Sequence, residues 1–206
     1  MKFVEGGGGD VSDVSMSPDG REIAVDTPEA PRYPGIQIFD VATHRRIAAL
    51  SDDEDVWDLA RFTPDGRYIV GGSWKGWVRL WSTKTWEPAT RILGGHSAEL
   101  DWESISPDGR TLATSGFDGT VHLWDLPTQR EVGAPPPGVP GRLTVPQFTP
   151  DGRSLLAITD AGRAYLWDVR PSSWLRHACE VAGRTLTRAE WQDALPGRDY
   201  APACRR

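Results

Sequence analysis

One four-residue turn recurs four times along the chain at nearly constant spacing. Each copy is Ser or Thr followed by Pro-Asp-Gly, and the copies begin at Ser17, Thr63, Ser106 and Thr149. Their Asp residues are 46, 43 and 43 residues apart. Pro, Asp and Gly at these offsets favour tight turns. A nearly fixed period with short apolar runs between turns is typical of a repeat protein.

A second landmark follows each turn. It is Phe39-Asp40 in the first unit and Trp81-Ser82, Trp124-Asp125 and Trp167-Asp168 in the others. The aromatic residue lies 15 residues after the turn Gly in the last three units and 19 residues after it in the first. The first unit therefore has a four-residue insertion. We place it in the segment 27–35, because its prolines do not fit within a strand.

The third unit, residues 94–125, has the most complete pattern. It contains Gly95-His96, the Ser106 turn, an Asp118-Gly119 turn and a closing Trp124-Asp125. The runs between these landmarks alternate apolar and polar residues, which predicts half-buried antiparallel strands. This unit resembles a WD40 (WD-repeat) blade, whose signature is a Gly-His…Trp-Asp unit of about 40 residues.

The resemblance implies an all-β fold, a partial WD40-type β-propeller of about four blades. Each blade would have four strands, named a to d from the centre outward. We place the blades at residues 9–50, 51–93, 94–133 and 139–170. Residues 1–5 match a remnant strand d of a preceding blade.

Residues 171–206 are predicted to form a C-terminal helical extension. Arg170-Pro171 stops the last strand, and the apolar stripe of an amphipathic helix follows and ends at Gly183. Residues Thr187–Glu190 have the pattern of a capping box, which predicts the start of a second helix. Blades and tail together resemble the C-terminal part of bacterial multidomain WD-repeat proteins.

The resemblance implies a buried hydrogen-bond network in the third unit. His96 would bond Asp118 through one imidazole nitrogen and a hydroxyl of strand b, on Thr114 or Ser115, through the other. The same hydroxyl would meet the indole N–H of Trp124. A catalytic His/Asp/Ser arrangement is the alternative, but the same positions recur as a blade signature. The other units lack part of the set, so we expect the full network only here.

The second unit departs from the family pattern in two loops. Asp53, Glu54 and Asp55 form an acidic cluster, and Trp74-Lys75 replaces the usual Asp-Gly turn. Trp is over-represented among interface hot spots, so we treat these five residues as candidate partner-binding residues. A solvated acidic loop and an indole packed on a neighbouring loop are the alternatives. A calcium site is not favoured, because the acidic run lacks a Gly at its bend.

Glu103 occupies a position in the third unit that is apolar in most WD40 blades. A buried carboxylate without a partner is costly. We therefore expect Glu103 to reach solvent or a partner, and we include it among the candidate partner-binding residues.

Composition excludes several classes of protein. The net charge of −6 and the pI of about 5.2 argue against a nucleic-acid-binding module. The sequence has no run of about 18 apolar residues, so no transmembrane helix is predicted. It has two cysteines, Cys179 and Cys204, and no signal-peptide pattern, which favours the cytoplasm. The two cysteines are compatible with a disulfide or with two packed thiols.

The expected function is a protein–protein interaction scaffold that binds partners through rim loops. We find no catalytic set, no phosphate-binding Gly-rich loop and no metal-spaced His pair, and we expect neither an enzyme nor a cofactor or metal. One alternative is a C-terminal fragment or regulatory part of a larger signalling protein, such as a STAND-type NTPase or a kinase, without activity of its own. Another is a hydrolase that uses rim carboxylates.

Closure of the propeller is open at this point. Two chains could self-associate into a larger, eight-bladed ring, or the chain could be the C-terminal piece of a longer propeller. It could also close alone, with residues 1–5 pairing to residues 164–167.

Overall fold

A computed structural model describes the backbone of residues 11, 13–27, 35–51, 55–90, 93–133, 143–185, 187–190 and 204. Within these ranges, fifteen strands form four antiparallel sheets, and a helix follows the last strand. The prediction of an all-β fold with a helical C-terminal part is confirmed.

Each sheet is a meander in which consecutive strands pair with one another, and we call the sheets blades one to four. Blade one consists of β1 (Asp13–Met16), β2 (Glu22–Thr27), β3 (Gly35–Asp40) and β4 (Arg46–Leu50). Blade two consists of β5 (Trp57–Phe62), β6 (Tyr68–Ser73), β7 (Trp77–Ser82) and β8 (Leu93–Gly94). Blade three consists of β9 (Leu100–Ile105), β10 (Thr111–Gly116), β11 (Val121–Asp125) and β12 (Arg130–Gly133). Blade four consists of β13 (Leu143–Phe148), β14 (Ser154–Thr159) and β15 (Ala164–Asp168).

The repeated turn closes the first hairpin of every blade through its own side chains. In all four copies the Ser or Thr hydroxyl donates to the Asp carboxylate, over 2.6 to 2.8 Å. The same carboxylate accepts the backbone N–H of the residue two positions later. The turn Gly has φ between 67 and 73°, a region that favours glycine. Hydrogen bonds between residues at most a few positions apart therefore define each turn.

The apolar core of the described residues is divided into three clusters, each between two consecutive blades. The first joins Ala24, Ile36, Ile38 and Leu50 of blade one to Trp57, Ala60, Phe62, Ile69 and Trp81 of blade two. The second includes Val70, Val78, Leu80 and Leu93 of blade two with Leu100, Leu112, Trp124 and Leu126 of blade three. The third joins Ala113, Val121 and Leu123 to Phe148, Leu155 and Ala157.

The blades therefore stabilise one another through their faces. Burying an Ile or Leu side chain stabilises the fold by about 1.5–3 kcal/mol, and most of the buried apolar side chains lie between blades. The first strands of neighbouring blades also contact each other, β1 with β5, β5 with β9, and β9 with β13. The four sheets form an arc whose first strands line its inner side.

The C-terminal part begins with helix α1 (Pro171–Ala182). It ends at Gly183, whose φ is 63° and whose N–H donates to the carbonyl of Cys179. Thr187 and Glu190 exchange hydrogen bonds as a capping box does. No helix in the described part of the chain is long and apolar enough to cross a membrane.

Cys179 and Cys204 form a disulfide, so the alternative of two packed thiols is wrong. The low cysteine count was one reason to expect a reducing cytoplasm. Because both cysteines are in a disulfide, the cysteine count no longer supports that expectation. Three other predictions lie outside the described residues: the remnant strand at 1–5, the body of the second helix, and most of the insertion at 28–34.

Candidate functional site

A hydrogen-bonded network of side chains links β10 and β11 of blade three to the loop entering the blade and to the turn after β10. The Nδ1 atom of His96 lies 3.2 Å from each carboxylate oxygen of Asp118, and its Nε2 atom lies 2.9 Å from Oγ1 of Thr114. The indole N–H of Trp124 donates to the same Thr114 oxygen, over 3.0 Å. Because a carboxylate only accepts, we assign the proton of His96 to Nδ1, and Nε2 then accepts the Thr114 hydroxyl. Each polar side-chain group in this network has a hydrogen-bond partner.

The electrostatics of this network favour a neutral imidazole beside an ionised carboxylate. Burial disfavours the charged form of Asp118, but hydrogen bonds from Thr120, Ser97 and His96 outweigh burial and hold the pKa of Asp118 well below its usual range. Burial lowers the pKa of the His96 imidazole, although Asp118 acts in the opposite direction. A Cβ built on Gly116 would lie 2.7 Å from Nδ1 of His96, so glycine leaves the room that the ring occupies.

The network is unsuited to catalysis because a substrate cannot reach it. The Thr114 hydroxyl is fully buried, and the side chain of His96 is inaccessible. Ser115, the alternative to Thr114, is also buried, and its Oγ has no hydrogen-bond partner among the described residues. Thr114 therefore supplies the hydroxyl, and the arrangement stabilises the blade.

His122 and Glu131 extend this network, and the sequence patterns did not indicate them. Nδ1 of His122 lies 2.7 Å from Oε1 of Glu131, and Nε2 lies 3.0 Å from Oγ1 of Thr120. The rings of His96 and His122 are 4.4 Å apart at an angle of 69°. Glu131 lies on β12, which has a register shift against β11, and a period-2 pattern does not reveal such a shift.

His96, Asp118 and His122 also lie close enough together to hold a metal ion, with ligand atoms within 4.8 Å of one another. Their nitrogen and oxygen atoms are engaged in the hydrogen bonds described above. An ion would have to replace those bonds. The donor set therefore fits a hydrogen-bonded network better than a coordination shell.

Trp74 lies in the turn between β6 and β7, and 41% of its surface is exposed. Its indole N–H donates to Oδ2 of Asp58 over 2.9 Å. Asp55 accepts the backbone N–H of Lys75 over 2.8 Å and that of Val56 over 2.8 Å, so it joins the turn to the loop entering blade two. Of the five predicted partner-binding residues in these two loops, the structure places Asp55, Trp74 and Lys75, whereas Asp53 and Glu54 lie outside the described residues.

Asp58 lies beneath Trp74 and has an unusual ionisation. Burial, followed by the charge of Asp26, raises the pKa of Asp58 to about 7, and the Trp74 hydrogen bond opposes this shift. The carboxylates of Glu99 and Asp55 also raise it. Several acidic groups therefore act on one another at this end of blades two and three.

Glu103 does not reach solvent, because only 3% of its surface is exposed. Its Oε1 lies 4.0 Å from Nε of Arg61, whose guanidinium also contacts Asp13 over 3.0 Å. Arg61 occupies the position held by Ser15 and Ser104 in blades one and three, and it reaches both neighbouring blades. Burial raises the pKa of Glu103 well above its usual value, despite the opposing charge of Arg61. The partner of Glu103 is thus internal, and its inclusion among the surface-binding residues was wrong.

Two further exposed aromatic side chains lie at the corresponding end of blade three. Phe117 begins the turn after β10, and its N–H donates to the carbonyl of Glu99 over 2.9 Å. Trp102 pairs with Ser115 near the end of β10. A Cβ built on Gly76 would lie 2.4 Å from the carbonyl oxygen of Ala98, so the Trp74 turn touches the loop entering blade three. We call the turns that hold Trp74 and Phe117, together with Trp102 on β9, the aromatic rim.

Comparison with known proteins gives a family for these blades. Residues 45–82 and 88–125 each match the family model "WD domain, G-beta repeat". No curated protein matches the chain. Each matched segment runs from the last strand of one blade through the first three strands of the next. Both matches include the predicted landmarks, Trp81 in the first and His96 and Trp124 in the second. The segments 45–82 and 88–125 are thus WD40 repeats, and the four sheets form a partial WD40-type propeller.

Proposed function

We propose that the chain is a protein-interaction scaffold that binds its partner through the aromatic rim. WD40 repeats are generally protein-interaction scaffolds, and the family is generally non-enzymatic. The observation that carries the proposal is the exposure of three large aromatic side chains at one rim: Trp74 and Phe117 in neighbouring turns, and Trp102 on β9.

The rigidity of the rim supports this function. Asp58 holds the indole of Trp74, and Asp55 holds the backbone of the same turn. Phe117 begins the turn whose Asp118 is bonded to His96. Aromatic side chains on fixed loops lose little conformational entropy when a partner binds, so more of the contact energy appears as affinity.

The charge of the rim indicates the class of partner. Asp55, Asp58 and Glu99 lie close enough to influence one ionisation. Lys75 is the cation of the Trp74 turn, and its Nζ lies 4.8 Å from the ring of Trp77. A protein segment with Lys or Arg beside an apolar residue complements carboxylates that surround exposed rings.

The test compares two tryptophans of similar exposure. The immobilised chain is incubated with lysate, and captured proteins are quantified by mass spectrometry for wild type, Trp74→Ala and Trp174→Ala. Trp174 lies on helix α1 and is 37% exposed, so it controls for the loss of an exposed indole. Hot-spot truncation costs about 2 kcal/mol or more, which predicts at least a tenfold loss of one set of proteins with Trp74→Ala.

The control variant Trp174→Ala should capture the same set of proteins at the wild-type level. Equal capture by wild type and Trp74→Ala, or equal loss in both variants, would reject the rim as the binding surface. Circular dichroism of the three proteins checks that each is folded, since both side chains lie at the surface.

A further inference from the structure

Three interfaces between consecutive blades, which we call junctions, are formed by the same two blade faces. The earlier blade contributes residues of its second and third strands, and the later blade contributes residues of its first and second strands. At two junctions a backbone N–H of the later blade also donates to a serine hydroxyl of the earlier blade. The N–H of Phe62 donates to Oγ of Ser15, and the N–H of Phe148 donates to Oγ of Ser104.

The first blade exposes part of the face that the later blades bury. Met16 occupies the position of Phe62 and Phe148, one residue before the turn, and is 58% exposed, whereas both phenylalanines are buried. Val14 is likewise more than half exposed, whereas its counterpart Ala60 is buried. Val25 and Phe39, which share this face, are buried, so its exposed part is the first strand, against which no described blade lies.

The fourth blade exposes the opposite face. Leu166 occupies the position of Ile38, Leu80 and Leu123, one residue before the landmark aromatic, and is 64% exposed, whereas those three are buried. Leu156, on the same face, is also exposed. Blade four thus has the leading half of a junction without a following blade against it.

The repeated turns show the same open ends. A Cβ built on Gly66, Gly109 or Gly152 would lie 3.4 to 3.7 Å from the proline ring of the preceding blade's turn. A Cβ built on Gly20 would have no described atom within 4 Å. The turn of blade four, with Pro150, is therefore not packed on the turn of blade one. The described arc does not close on itself.

Helix α1 does not cover the open face of blade four. Pro171 and Trp174, in its first turns, line a cavity together with Ser106, Arg110 and Val132, which belong to blade three. The helix thus begins beside the junction between blades three and four, and Leu166, on the other face of blade four, stays exposed.

We propose that two copies of this chain join head to tail, blade four of each against blade one of the other, in a closed ring of eight blades. The chain carries both halves of its own repeating junction, and each half is unmatched at one end of the arc. A second copy supplies both missing halves at once. The resulting twofold ring has no open blade, and eight lies within the known range of propeller sizes. Exposed apolar faces of this kind mark association surfaces.

Light scattering tests the proposal through the molar mass of the full chain. The expected mass is about twice 22.7 kDa across concentrations from about 1 to 100 μM. Met16→Lys and Leu166→Glu each place a charge in both junctions of the ring. Each variant alone should raise the dimer dissociation constant about 100-fold or more, since an unpaired buried charge is costly. Val132→Lys replaces a comparably exposed side chain on β12, away from both ends, and should leave the dimer intact.

Mixing the two variants distinguishes the head-to-tail ring from other dimers. One Met16→Lys chain and one Leu166→Glu chain form one unaltered junction and one in which the two charges are opposite. The mixture should therefore regain mass toward the dimer at concentrations where each variant is a monomer. A monomeric wild type, a dimer unaffected by both substitutions, oligomers that grow with concentration, or a mixture that stays monomeric would each overturn the proposal.

Discussion

The indole ring of Trp124 packs directly on the backbone of Gly95. A Cβ built on Gly95 would lie 2.6 Å from Cη2 of the ring, far inside ordinary contact distance. The next residue, His96, reaches the hydroxyl of Thr114, and this hydroxyl also accepts the indole N–H. The Gly-His pair and the distant Trp of a complete unit are thus parts of one packed arrangement.

Gly95→Ala should destabilise the protein by about 1–3 kcal/mol, because the added methyl group overlaps the indole and forces it or the backbone to move. Gly94→Ala is the matched control, since its Cβ would meet Trp77 at an ordinary 3.8 Å. Urea unfolding followed by tryptophan fluorescence measures both. Equal stability of the two variants would show that the ring moves aside without cost.

Thr114→Val should destabilise the protein by about 2 kcal/mol, since it keeps the side-chain shape but leaves the Trp124 N–H and His96 Nε2 without their shared partner. Thr114→Ser retains the hydroxyl and should cost about 1 kcal/mol through the lost methyl group. Thr111→Val, on the same strand, controls for hydroxyl loss outside the network. If Thr114→Ser proves as damaging as Thr114→Val, the methyl group rather than the hydroxyl is responsible.

Asp58→Asn should change how stability depends on pH. The folded pKa of Asp58 is raised to about 7, above the unfolded value near 3.8, so the folded state binds more protons between these values. Wild-type stability therefore falls as pH rises from about 4 to 7. The free energy of unfolding of Asp58→Asn should equal that of wild type at pH 4 and exceed it by about 1–3 kcal/mol at pH 8.

Thermal melts of both proteins at the two pH values give the comparison. The charge of Asp58 is one cause of the raised pKa of Glu103, so relief of Glu103 adds to the gain of the variant at pH 8. A variant that is equally stabilised at pH 4 and pH 8 would contradict the assigned ionisation.

Reduction of the Cys179–Cys204 disulfide should loosen the tail and leave the blades intact. The bond closes a loop with a sequence separation of 25, which corresponds to about 3 kcal/mol in the chain-entropy model. Neither cysteine belongs to the three core clusters. Limited trypsin digestion should release C-terminal peptides faster after reduction, whereas the melting temperature of the blades should change by no more than about 2 °C. A large fall in that melting temperature would show that the tail supports the arc.

Features made by neighbouring residues were predictable from the amino-acid sequence. The four Pro-Asp-Gly turns bond within a few residues of themselves, so their pattern is visible in a linear sequence. The helix ending at Gly183 and the capping box at Thr187–Glu190 are local in the same way. The family pattern also indicated the partners of His96, since it fixes which positions of a blade face one another.

Contacts between blades were beyond sequence patterns. The burial of Glu103 depends on Arg61, 42 positions earlier and on another sheet. The pairing of His122 with Glu131 depends on a register shift, and the exposure of Trp102 and Phe117 depends on how two rim loops meet. Side chains from different blades meet only after the sheets pack, so no fixed spacing along the chain encodes these contacts.

The sequence by itself determined the number of repeats, the turns that bound their strands and the blade with the complete network, because each depends on short-range hydrogen bonding or on a recurring motif. Only the tertiary structure decided that the first and last blades do not meet. Met16 and Leu166 are apolar like their buried counterparts, and burial depends on whether another blade face lies opposite. The repeated sequence pattern is thus the same in the terminal and the internal blades, whereas the burial of equivalent side chains differs between them.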